Sequence, residues 1–524
     1  MPVAERFKEV YEAIVSRNPE HNFAPSLNRV ARVMEYLGEP QRSFRVVQVT
    51  GTNGKTSTAR MVEALVRAHG LRTGLFTSPH LTSITERIIV DGEPISPERF
   101  IEIYDDVAPY IELVDQESQA EGGPRLSFFE VLTVMAFAAF ADAPVDVAVL
   151  EVGMGGEWDA TNVADADVAV VTPIGLDHQE WLGDTIAAIA ATKAGIIKPR
   201  SVLVRSVQEP LAADILDERA AEVGAKTVRE NSEAFVVDRQ MAVGGQVLTL
   251  QTPGAVYADL FLPLHGKHQA HNALLALSAV EQLLGAGKAL GSEPVSEGFL
   301  SVESPGRLEL LRDSPPILVD VAHNPHGAEA LASAVAETFG FTNLVLVFAA
   351  MADKDIEGIL LALAGQGESF SSEVEPAHVV AIVLTRNNSP RCADPEAIVP
   401  IANQIFGDEH VYVAENLADA IAQAVDLAEA ADPTGMGTGA GVLITGSVVT
   451  VGDAKLLLGR PQTSAQPKSR LADLEDAEFR SMLDTSSPAV DFAEVLDEGY
   501  DADEDAEDNP DELLGWDAGL GGKV

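Results

Sequence analysis

Apolar positions recur at helical spacing through residues 3–37, where Leu27, Val30, Ala31, Met34 and Leu37 share a face and Gly38 supplies a stop, so two helices are predicted there. The period then changes. Phe44-Arg-Val-Val-Gln-Val-Thr50 is a short β-rich run ending at Gly51, and a helix is expected over 57–69, closed by Gly70. Residues 128–140 read as a helix, 145–152 and 167–172 as buried strands, and 185–197 as a further helix. Polar insertions near 116–124 and 366–376 read as surface loops. Beyond Pro305-Gly306 the pattern restarts, with candidate strands at 317–322, 344–349, 379–384 and 442–445 separated by helical stretches. Strands alternating with helices predict mainly parallel sheets. The expected fold class is α/β: a mainly parallel sheet domain over 1–300, a smaller C-terminal Rossmann-like α/β domain over 301–460, and a tail over 461–524.

Composition changes this picture in few places. A chain of 524 residues, 46% apolar with mean hydropathy +0.09, is long enough for two or three cores. No apolar run approaches the ~18–20 residues of a membrane helix, and the N-terminus has no secretory pattern. One cysteine, Cys392, makes no internal disulfide and points to the cytoplasm. With 35 Lys+Arg against 81 Asp+Glu the formal charge is −46, which argues against nucleic-acid or membrane partners because these need a basic face. Residues 462–524 carry 18 Asp+Glu and 4 Lys+Arg, a composition expected to stay disordered, with a docking role for Leu513, Leu514 and Trp516 as the alternative. The body still holds a net −32, so an anionic substrate needs a locally basic or metal-bearing pocket.

Thr50-Gly-Thr-Asn-Gly-Lys-Thr-Ser57 lies between an expected strand and an expected helix, the context of a phosphate loop. Gly51 and Gly54 permit a tight turn whose N–H groups face an anion, Lys55 reaches toward β/γ-phosphates, and the Thr56 hydroxyl suits Mg²⁺. This gives a P-loop ATPase-type first domain, although the loop is two residues shorter than the general G-x-x-x-x-G-K-T. Glu151, Asp177 and His178 follow expected parallel strands at the ends where ligands bind in such sheets. A capping acid and a structural histidine are the plainer alternatives. Lys193 taken alone reads as a surface lysine.

The loop Gly-Thr-Asn-Gly-Lys-Thr-Ser resembles that of the Mur ligase superfamily, ATP-dependent enzymes that make amide bonds. Eight ordered motifs sharpen the resemblance: Thr77-Ser-Pro-His-Leu81, Phe128-Phe-Glu130, Glu151-Val-Gly-Met-Gly-Gly156 with Asp159-Ala-Thr-Asn162, Gly175-Leu-Asp-His178, Lys193-Ala-Gly-Ile196, Gly266-Lys-His-Gln269 with Asn272, Pro305-Gly-Arg-Leu-Glu309 and Asp320-Val-Ala-His-Asn-Pro325. Together they are similar to the folylpolyglutamate synthase/dihydrofolate synthase branch over residues 5–458. The resemblance implies an ATP-dependent ligase that adds L-glutamate to folates, and to dihydropteroate, through an acyl phosphate.

It also implies roles. Gly51, Thr52, Asn53, Gly54, Lys55, Thr56 and Ser57, with Asn272, Arg307 and Asp320, would bind ATP. Thr56, Ser78 and Glu151 would hold one Mg²⁺, and His178 with a carbamylated Lys193 a second. Lys55, Lys193, His178, Arg307 and His323 would serve catalysis. Ser78, Pro79, His80, Phe128, Phe129, Glu130, Trp158, Asp159 and Ala160 would contact the pterin-bearing substrate, and Ser447 would help hold glutamate. A cytoplasmic monomer is expected. The family commonly places arginine after the Gly-Gly pair, whereas Glu157 and Trp158 follow Gly156 here, which puts the pterin site in question. A muramyl-peptide ligase would share the phosphate loop, but only 50 residues precede Gly51, too few for the uridine-nucleotide domain of such enzymes. A P-loop regulatory ATPase is the rival of another class; it would use ATP without an amide product.

Overall fold

The run after Phe44 forms strand β1 (Arg45–Thr50), buried at every position after the first, as a parallel strand covered on both faces demands. In the computed structural model, which describes residues 2–17, 26–367, 377–432 and 439–459, seven further strands join it: β2 (Thr73–Phe76), β3 (Ile88–Val90), β4 (Glu93–Pro94), β5 (Val147–Glu151), β6 (Val168–Val171), β7 (Val202–Arg205) and β8 (Lys226–Arg229). Their order is β4-β3-β2-β5-β1-β6-β7-β8, with antiparallel pairing only between β2 and β3 and between β3 and β4. Val49 pairs with Glu151 on one side and Val170 on the other. β5, β1 and β6 therefore open their C-terminal ends side by side.

The helix after β1, Lys55–Ala68, begins two residues before the expected start, because the turn at Gly54 already caps it. The expected helix at 128–140 is Phe128–Asp142, fixed at its start by a capping box between Ser127 and Glu130. The polar segment at 116–124 is only partly a loop. Its first five residues end the 24-residue helix Pro97–Ala120, and the chain leaves the helix at Gly122-Gly123.

A three-stranded antiparallel sheet, β9 (Phe235–Ala242), β10 (Gly245–Gln251) and β11 (Val256–Leu262), was absent from the sequence-based expectation. Its inner residues Leu248, Leu250, Leu260 and Leu262 join the first-half core beneath the helix Lys267–Gly285.

The second half carries β12 (Glu309–Asp313), β13 (Pro316–Val319), β14 (Asn343–Phe348), β15 (His378–Leu384), β16 (Val411–Val413) and β17 (Ala440–Thr445), ordered β12-β13-β17-β14-β15-β16. Only β12 is antiparallel. The expected strand at 317–322 stops at Val319; beyond it the Asp320 amide still donates to Ile444 O of β17 and the Val321 amide to Gly306 O. The acidic tail and residues 368–376 of the second expected loop lie outside the described residues. No described helix is long and apolar enough to cross a membrane. The α/β class holds in both halves.

Candidate active site

From β1 the chain turns through Gly51 to Gly54 and enters its helix at Lys55. Gly51 and Gly54 have φ of 142° and 89°; a Cβ would overlap Thr172 at the first and stand 2.5 Å from Asn272 Oδ1 at the second. Both positions accept only glycine. Lys55 Nζ donates back to the carbonyls of Gly51 and Thr52 at 3.2 and 3.0 Å, and burial lowers its pKa. Helix N-terminal amides and this ammonium make an anion cradle. Thr52 Oγ1 donates to Gly175 O at 3.0 Å, and Ser57 Oγ lies 3.1 Å from Ser304 Oγ and accepts from Gln269.

Glu151 ends β5 beside this cradle. Thr56 Oγ1 donates to its Oε1 at 2.8 Å and the Ser78 amide to its Oε2 at 3.2 Å. Burial raises the Glu151 pKa, with Lys55 opposing. Among the described residues no group of three or more His, Cys, Asp or Glu could hold a metal by itself. One carboxylate and one hydroxyl nonetheless fit Mg²⁺, which takes few protein oxygens and completes its octahedron with water and phosphate.

On the other flank, β6 leads to Asp177 and His178. Lys193 is buried and donates to Gly51 O at 2.7 Å; burial lowers its pKa to about 7. Gly51, Lys55, His178 and Lys193 line a water-sized hole. Desolvation also lowers the His178 pKa, so its imidazole is neutral at pH 7. Asp177 faces the second half of the chain. Lys354 Nζ lies 2.7 Å from its Oδ1, and His323 Nε2 and Asn324 Nδ2 stand 3.6 and 3.5 Å from its Oδ2. Burial opposes ionisation, but His323, His178 and Lys354 outweigh it and hold the carboxyl well below its usual range. Asn53 and Asn324 exchange two amide hydrogen bonds of 3.0 Å, and His326 Nδ1 is 2.9 Å from Asn53 Nδ2.

Arg307, just before β12, reaches Thr56 Oγ1 with Nη2 at 3.4 Å. Asp320 accepts from the Leu308 and Ala322 amides at 2.8 Å each; burial raises its pKa and Arg307 draws it back. Ser447 caps the helix Val448–Leu458 by accepting from the Val449 amide. Between the halves runs a cleft of about 1060 Å³, whose wall includes Lys55, Glu151, His178, Arg307, His323 and Ser447.

The expected substrate residues divide. Ser78, Pro79, His80, Phe129, Trp158 and Ala160 line the cleft. Glu130 and Asp159 line it too, but their carboxylates are engaged. Glu130 pairs with Arg29 at 2.9 Å, while Asp159 accepts from the Met154 and Thr161 amides at 3.0 Å. Phe128 is off the wall, beneath the Arg87 guanidinium at 5.0 Å. Leu81 turns away as well and packs on the second-half core. Glu157 is exposed, with its backbone against Gly195, so its charge does not face the cleft. Sequence reasoning missed Lys354, Asn324 and His326 as site residues. Lys354 follows the end of β14, and the strand-end rule that singled out Glu151 and His178 would have found it.

Residues 102–280 match the Mur ligase middle domain and residues 306–448 the Mur ligase, glutamate ligase domain. A dihydrofolate synthase/folylpolyglutamate synthase of Mycobacterium tuberculosis is 51% identical over 468 residues, 86% of this chain and 94% of that protein. Its Escherichia coli counterpart is 36% identical over 336 residues, 64% of this chain and 74% of that protein. A crystal structure of Mycobacterium tuberculosis folylpolyglutamate synthase with ADP and AMPPCP superposes with a TM-score of 0.80 at 49% identity, covering 88% of this chain and 99% of that one. A folylpolyglutamate synthase complex with AMPPCP and folate gives 0.72 at 29% identity, covering 86% and 100%.

Proposed function

The chain belongs to the folylpolyglutamate synthase/dihydrofolate synthase family of Mur ligases, and from that premise we propose that its cleft uses ATP to join L-glutamate to a folate and to dihydropteroate. The observation that carries this reading is the convergence on Thr56. Its hydroxyl, next to the phosphate-loop lysine, meets Glu151 from β5 and Arg307 from the second half.

In the proposed reaction a substrate carboxylate attacks the γ-phosphorus of ATP, giving an acyl phosphate and ADP. The glutamate α-amine, once deprotonated, attacks the acyl carbon; the C–O bond to phosphate breaks and an amide remains. Lys55 and the helix amides orient the β/γ-phosphates, with Asn272 closing the cradle over Gly54. Arg307, with Asp320 beside it, adds positive charge where charge builds on the phosphoryl group. His323, fixed by Val321 O and Asp177, stands on the cleft wall, as does Ser447 for the incoming glutamate. Ser78, Pro79, His80, Phe129, Trp158 and Ala160 form the wall for the pterin-bearing substrate.

Thr56 and Glu151, beside Ser78, would hold one Mg²⁺, and His178 with Lys193 as its N-carboxylated form a second. Bound there, Mg²⁺ would supply the positive charge that lets two anions approach. Carbamylation needs a neutral amine, and the burial of Lys193, which lowers its pKa to about 7, favours that form. We assign residues 1–300 to ATP and folate, 301–460 to the ligase half and 461–524 to an acidic tail, in a cytoplasmic monomer. Light scattering reads the last point as a single 55.4 kDa species.

The test is one assay with ATP, Mg²⁺ and labelled L-glutamate, offering dihydropteroate or tetrahydrofolate as acceptor. ADP release that requires both acceptor and glutamate, with label in the acceptor, is expected. ADP release indifferent to either one overturns the reading.

A further inference from the structure

Leu81 belongs by chain position to the first half, in the segment that brings Ser78, Pro79 and His80 to the cleft wall. Its own side chain does something else: it packs against the core of the second half, the cluster that includes Val321 and Val451. A Cβ placed on Gly306 would stand 3.2 Å from Leu81 Cδ1 and 3.2 Å from Val451 Cγ1. Gly306 immediately precedes Arg307. A Cβ on Gly452 would collide with the Leu81 carbonyl oxygen. Gly452 lies inside the helix Val448–Leu458, where glycine is a poor helix former. The space that a side chain would fill there is taken by Leu81 backbone.

The loop presenting Leu81 is held firmly. The Glu86 carboxylate accepts from the amides of Leu81, Thr82 and Ser83 at 2.8, 3.0 and 2.9 Å. Arg307, by contrast, makes no ion pair at contact distance among the described residues; its one side-chain bond across the cleft is the 3.4 Å contact to Thr56. Asp320 and Glu151 attract the guanidinium without contacting it, so the packing of the turn that carries it shares in setting where it stands.

We propose that Leu81 is a positioning residue: seated between Gly306 and Gly452, it fixes the turn before Arg307 against the first half, so that the guanidinium reaches the Thr56–Glu151 centre. The inference rests on the ligase reading for what Arg307 does there. It goes beyond that reading by giving a role to a residue outside the cleft.

The experiment is a double-mutant cycle on the full chain, with kcat and the KM values for ATP and folate measured for wild type, Leu81→Ala, Leu81→Met, Arg307→Ala and the Leu81→Ala/Arg307→Ala pair. Leu81→Ala is expected to lower kcat about tenfold, as a small misplacement of a catalytic group does. Leu81→Met, which keeps the volume, is expected to restore most of it. In the Arg307→Ala background, Leu81→Ala is expected to cost less than twofold more. An unchanged kcat, or losses that multiply in the pair, overturns the proposal. If the wild type forms no glutamate amide, the ligase reading has failed. The same cycle read in AMPPCP affinity then decides the positioning role, with non-additive losses supporting it and additive ones overturning it.

Discussion

Two strand-end carboxylates flank the phosphate loop, and they are wired differently. Among the described residues, the Glu151 side chain at the end of β5 is bonded only within the first half, by the Thr56 hydroxyl and the Ser78 amide. Asp177, two loops away after β6, gathers Lys354, His323 and Asn324 from the second half. Burial favours the neutral form at Glu151, whereas at Asp177 the hydrogen bond with His323 and the Lys354 ammonium outweigh burial and favour the ionised form. On the proposed reading, the first takes its compensating charge from a bound magnesium ion. The second is already neutralised by the protein itself and spends its charge on joining the halves.

Glu151→Gln sets this contrast most sharply. It removes a proposed magnesium ligand and is expected to lower turnover by roughly 10²–10³, the scale of losing a preorganised electrostatic group. It should leave the melting temperature level or higher, because a neutral amide suits the buried site. A matching loss of stability would make Glu151 a structural acid. Asp177→Asn leaves Lys354 facing an amide. Turnover is expected to fall about tenfold, and stability by about 2 kcal/mol, below the range for a wholly buried pair because Lys354 keeps some exposure. Lys354→Met should destabilise less, since Asp177 retains His323 and Asn324. If both variants melt with wild type, the joint is incidental.

A smaller effect separates Asp159 from both. Burial raises its pKa to about 6, above the 3.8 of the unfolded chain. Between those values the folded state keeps a proton that the unfolded state has released, so this group's contribution to stability falls as pH rises from about 4 to 6. Asp159→Asn should flatten that part of the stability–pH curve relative to wild type, as read by chemical denaturation across the window. An unchanged slope would show that Asp159 is ionised throughout.

The sequence carried the nucleotide side of this site well, for a physical reason. A phosphate loop needs glycines, a lysine and a hydroxyl consecutively, so Gly51 to Thr56 are contiguous and readable, and the period of the flanking residues fixes strand and helix around them. Glu151 and His178 were legible because parallel strands are continuous apolar runs with informative ends. Lys354, Asn324 and His326 were not singled out, because their partners lie 147 or more positions away in sequence and no local period records such pairing. The sheet β9–β10–β11 escaped notice because β9 buries no residue fully and β11 alternates irregularly, leaving β10 alone with a regular pattern. The place of Leu81 was not readable for a different reason. Its motif was recognised, but a motif does not say which side chains turn toward the ligand.

The pairing of Val49 with Glu151 and Val170 has a consequence for how this enzyme could vary. Side chains alternate faces along a strand, so sliding β5 by one position against β1 would carry the acid to the opposite surface and present Leu150 to the nucleotide. Insertions can accumulate in the hairpins beyond β8 without touching this alignment. Inside the three central strands, buried on both faces, a single added or lost residue would move the acid off the phosphate loop and disturb the packing on either side of the sheet.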